Sequence, residues 1–178
     1  MLKRLSLFFL MLIIVLTSLV SCKKKTDYSK LVVEKPDQSL RTGDYDLDFD
    51  AMHNSVIDYL SSEFMPFFFV KNGSFDISGD NSKNEITVKC TCMNGTIVSD
   101  LDLFLSMVLN GIAINANEQD YRFKKPSVLD DGSYGDYGNV FDVYGLNIYA
   151  DLEDKSILRD NSFKPGETIP IDPRYIKE

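Results

Sequence analysis

The pattern of apolar residues predicts an α+β fold: a two-layer domain, with a mostly antiparallel sheet, a hairpin and two main helices packed on it. Three segments carry that expectation. Apolar residues recur at helical spacing over 48–64, alternate with polar ones over 85–93, and nearly encircle a helix over 100–117.

The first helix is read from Phe49, Met52, Val56, Leu60 and Phe64, with Asp48 or Asp50 placed to cap its start and Pro66 to end it. "FFFVKNGSFDIS" follows and predicts a hairpin across Asn72-Gly73, a pair that suits a two-residue turn. Pairing across that turn puts Phe68, Val70, Phe75 and Ile77 on one face. A polar turn, "GDNSKNE", leads to the cleanest strand, "EITVKCTCM". There Ile86, Val88, Cys90 and Cys92 point one way and Thr87, Lys89 and Thr91 the other. Ser99 is expected to open a second helix of about 18 residues, with Asp102 three residues on as an approximate capping box. Leu101, Leu103, Phe104, Leu105, Met107, Val108, Leu109, Ile112 and Ile114 make it the most buried helix, and Gly111 implies close packing. "VFDVYGLNIYADLE" predicts a long strand with Leu146, Ile148, Ala150 and Leu152 on one face. The proline-rich tail "FKPGETIPIDPRYIKE" should be extended and irregular.

Ahead of the domain, residues 5–20 form an uncharged apolar run preceded by Lys3 and Arg4. The run is short for a bilayer span, which takes about 20 residues, and it has the basic start and small residues of a cleaved signal peptide. It ends in Leu19-Val20-Ser21-Cys22. That sequence resembles the lipobox of bacterial lipoproteins, a resemblance confined to the first 22 residues. The likeness implies that Cys22 takes a diacylglycerol on sulfur, that the chain is cut after Ser21, and that the new amine is acylated. Two or more acyl chains give lasting attachment, where one is marginal. The expected organisation is a signal peptide over 1–21, a lipid-anchored tether over 22–43 and one globular domain over 44–178.

The chain carries 19 basic and 27 acidic residues, a formal net charge of −8. Cleavage after Ser21 would remove two basic residues and no acidic one, moving it to −10. Such a balance excludes nucleic acid as a partner, because phosphate recognition needs a basic footprint. It also opposes docking on anionic polymers and lipid head groups. Lys23, Lys24 and Lys25 are the local exception, beside the expected anchor.

Few residues further along suggest chemistry. Cys90 and Cys92, two apart on one strand face, have parallel Cβ vectors that suit buried thiols better than a disulfide. His53 is the only histidine, and no G-x-S-x-G accompanies it. Asp44, Asp46, Asp48 and Asp50 begin like a calcium loop, but Phe49 stands where that loop needs glycine and Ser55 where it needs glutamate. No cofactor or metal is expected. The segment "DDGSYGDYGN" offers Asp130, Asp131, Tyr134, Asp136 and Tyr137 as a loop for a ligand or partner, a cation, sugar or protein. The expectation is therefore a non-catalytic binding or structural domain, anchored to the cell membrane or outer membrane and facing outside the cytoplasm. Its partner would be an envelope protein or a glycan. The alternatives are a small envelope hydrolase using paired carboxylates and an accessory lipoprotein that binds a glycan or solute.

Overall fold

The computed structural model describes residues 45–62 and 69–174, which all fall in one compact unit. Asp44, Phe64, Pro66 and Phe68 lie outside the described residues, as do the apolar run, Cys22 and the tether.

Helix α1 (Phe49–Ser62) starts where the sequence places its cap. The Asp48 carboxylate accepts from the Ala51 N–H at 2.9 Å, and the Asp48 carbonyl accepts from Met52 N at 3.0 Å. Met52, Val56 and Leu60 form the buried stripe.

Strands β1 (Asp76–Asp80) and β2 (Glu85–Cys92) make an antiparallel hairpin through the polar turn at 81–84. This corrects the expected hairpin across Asn72-Gly73. The turn itself forms: Ser74 N donates to Lys71 O at 3.0 Å, and Gly73 has a φ of 72°. Its two flanks nevertheless pair with β2 and not with each other, since Val70 bridges to Cys92 and Ile77 lies opposite Val88. A two-residue turn specifies a local reversal only. The longer, cleanly alternating β2 supplies more pairing partners.

Helix α2 (Val98–Gln119) runs for 22 residues and is buried on most sides. The expected capping box at its start is absent: Ile97 holds the cap position and no side chain caps it. Asp102 instead turns to Arg159, whose Nη2 lies 2.6 Å from Oδ1. The guanidinium meets both Asp102 carboxylate oxygens at 2.6 Å, a charge-assisted pair. Gly111 sits against α1 as expected. A Cβ there would lie 3.1 Å from Tyr59 Cδ1 and 3.2 Å from Val56 Cγ2.

The long strand expected from Val140 is divided. Val140–Val143 form one helical turn, α3, and strand β3 (Gly145–Leu152) begins after it. Leu146, Ile148 and Ala150 are buried on the expected face. Strand β4 (Ile157–Phe163) has no counterpart in the sequence reading. Its inward positions include Arg159 and Asn161, so the polarity alternation that betrays β2 is missing. Residues 164–174 form no regular element.

The strand order is β1-β2-β3-β4. The outer pairs are antiparallel and the central β2–β3 pair is parallel, because α2 returns the chain to the starting end of the sheet. The α+β class holds, with a mixed sheet. Ile77, Ile86, Val88, Cys90, Cys92, Leu146, Ile148 and Ala150 are buried on one face of that sheet. The opposite face carries Asp76, Lys89, Tyr149 and Asp160 in one row across all four strands, each of them exposed. Among the described residues the helices therefore cover one side only.

Candidate functional site

Two surfaces merit attention: the 127–138 loop and the open sheet face. The loop is a small, internally bonded reversal. Leu129 N donates to Ser133 O at 2.8 Å, Gly135 N donates to Ser127 O at 2.8 Å, and Val128 bridges Tyr134. Its acids are committed to holding it. Asp136 accepts from Ser127 N (2.9 Å), Ser127 Oγ (2.6 Å) and Gly138 N (2.8 Å). Asp131 accepts from Ser133 Oγ at 2.6 Å and Ser133 N at 3.0 Å, and these bonds hold its carboxyl below the usual range. Gly138 has a φ of 62°, and a Cβ there would collide with the Lys124 carbonyl, so only glycine fits.

Of the five loop residues singled out from the sequence, Asp130 and Asp131 are exposed at the tip and Tyr134 is half-buried. Tyr137 is only 9% exposed. Its hydroxyl donates to Ile171 O at 3.2 Å, and burial raises its ionisation above the normal phenol range. Tyr137 is thus a core residue that pins the tail, so the loop does not present two tyrosines to a partner. Spacing between glycines could not reveal this, because Tyr134 and Tyr137 read alike until the tail folds over one of them.

The other residues weighed from sequence have structural work. His53 Nδ1 accepts from Ile77 N at 3.2 Å, and its ring stacks on Phe75 at 5.6 Å. It joins α1 to the outer edge of β1. Cys90 and Cys92 are free and buried, and their mutual hydrogen bond and burial raise the Cys90 thiol well above its ordinary range. Asp46 accepts from Asn81 Nδ2 at 3.0 Å, and Asp48 caps α1. Among the described residues no group of three or more His, Cys, Asp or Glu side chains is placed to hold a metal ion.

The open face contains a groove of about 370 Å³ across β2, β3 and β4. Lys89, Thr91, Tyr149, Asp151, Ile157 and Asp160 line it. Tyr149 is 41% exposed and Ile157 71% exposed. The Lys89 ammonium lies over the Tyr149 ring, 5.9 Å from its centroid. The Asp151 carboxyl is lowered by the Thr91 hydroxyl and by Lys155, whose Nζ is 3.4 Å away. The outward alternation of Lys89 in β2 was legible in the sequence. Its place in a row with Asp160, with Tyr149 between them, was not, because it depends on β4.

No family model, no curated protein and no solved structure matches this chain.

Proposed function

We propose that the chain is a lipid-anchored extracytoplasmic domain with a non-catalytic binding or structural role at the bacterial cell envelope. The observation that carries this reading is the sequence Leu19-Val20-Ser21-Cys22 at the end of an uncharged run with a basic start. A thiolate is the strongest side-chain nucleophile for a stable thioether, and the acyl chains would hold the domain at a membrane through the polar 23–43 segment.

The binding role draws on the open, polar sheet face, which no described helix covers.

The test is substitution of the anchor. In cells fed a radiolabelled fatty acid, the wild-type chain is expected to take up label and to sediment with membranes. Cys22→Ser should lose the label and the membrane association together. Label retained by Cys22→Ser would overturn the reading.

A further inference from the structure

We propose that the groove on the open sheet face binds the cationic side chains of a basic polypeptide partner. This deepens the reading of the domain as a binding module and rests on it.

The protein shows where a cation goes. Lys89 already holds its ammonium over the Tyr149 ring at 5.9 Å, so that ring has a cation on its electron-rich face. Asp160 stands opposite Tyr149 in the β3–β4 register, and Asp151 lies two residues along β3 on the same face. Neighbouring strands are about 4.8 Å apart and alternate residues of one strand about 6.6 Å, so Asp160 and Asp151 both flank Tyr149 on the open face. Asp76, opposite Lys89 on β1, adds a third carboxylate to the same face. Exposed Ile157 adds an apolar wall that can pack against the methylene stems of lysine or arginine.

Charge complementarity selects the occupant. The whole chain carries a net −8, so anionic ligands are repelled at long range and basic chains are drawn in. A groove of about 370 Å³ accommodates one or two long side chains of an extended segment lying across the strands, not a folded domain. Lys89 over the ring and Lys155 on Asp151 are then built-in competitors, which incoming cations must displace.

The probe is fluorescent octa-arginine, titrated into the full-length protein in a neutral detergent at low and at moderate salt. Octacitrulline and a neutral oligosaccharide serve as uncharged ligands. Octa-arginine should bind, more weakly as salt rises. Asp151→Asn with Asp160→Asn should weaken it about fivefold or more at low salt. Tyr149→Leu, which alters no charge, should weaken it about two- to fivefold. Lys89→Gln should strengthen it. A distant control, Asp58→Asn with Glu118→Gln, both exposed on the helices, removes the same charge and should change affinity less than twofold.

Equal effects from the control and groove pairs would mean diffuse attraction and would overturn the proposal. Weaker binding by Lys89→Gln, or preference for the uncharged ligands, would do the same. The mass of the mature N-terminus in the same preparation reports the anchor separately. A failed groove therefore cannot be mistaken for a failed lipoprotein assignment.

Discussion

At the scale of single residues, the domain is held by a few polar side chains that reach between distant segments. Asn81, in the turn between β1 and β2, is the clearest. Its Oδ1 accepts from the Tyr144 hydroxyl at 2.7 Å and from Leu47 N at 3.2 Å. Its Nδ2 donates to Leu47 O and to Asp46, both at 3.0 Å. Tyr144 is fully buried between Phe49 and Phe123, and desolvation pushes its hydroxyl up to about 12. Asn81→Ala would leave that hydroxyl without its acceptor and take both side-chain bonds from the Leu47 backbone, while Gln119 still holds Asp48. The expected loss is about 2–3 kcal/mol, from a buried donor left unpaired and weaker bonds lost alongside it. A lower urea midpoint at unchanged slope would register it. An unaltered midpoint would show that the turn does not hold that segment.

At the scale of elements, the sequence was most legible where one period ruled alone. Strand β2 and the buried stripe of α1 could be read residue by residue, because alternate or helical positions are apolar and their neighbours are not. Strand β4 was illegible for the opposite reason: half-buried Arg159 faces inward, where Asp102 of α2 meets it. The same contact holds the Asp102 side chain against β4, while Ile97 takes the cap position of α2. The loop was half legible: its acids and glycines predicted a shaped turn, while the burial of Tyr137 depends on Ile171, 34 residues further on. Because Asp102 and Arg159 fix α2 to β4, a double-mutant cycle with Asp102→Ala and Arg159→Ala should give a coupling of about 0.5–1.5 kcal/mol that falls with salt. Zero coupling would mean that β4 is held by its ladder with β3 alone.

At the scale of the whole molecule, acidity governs both stability and partners. Asp80 is lowered to about 2 by Ser82 and Lys83, against 3.8 when unperturbed. A depressed carboxyl stabilises the fold above its unfolded value and loses that contribution as pH falls through the folded one. Asp120, Asp131, Asp151 and Asp154 shift the same way. Thermal stability should therefore be nearly level above about pH 5 and decline between about pH 4 and 2, with Asp80→Asn flattening part of that decline. A melting temperature that rose on acidification would contradict these assignments. Among the described residues the helices lie on one face of the sheet, and Asp76, Lys89, Tyr149 and Asp160 lie exposed on the other, the face proposed above to meet a partner. That account depends first on the anchor. Its most direct test is mass spectrometry of the N-terminal peptide from the protein purified out of membranes. The account predicts a peptide that begins at Cys22 and carries a diacylglycerol with an acylated amine. An unmodified Cys22 preceded by the apolar run would contradict it.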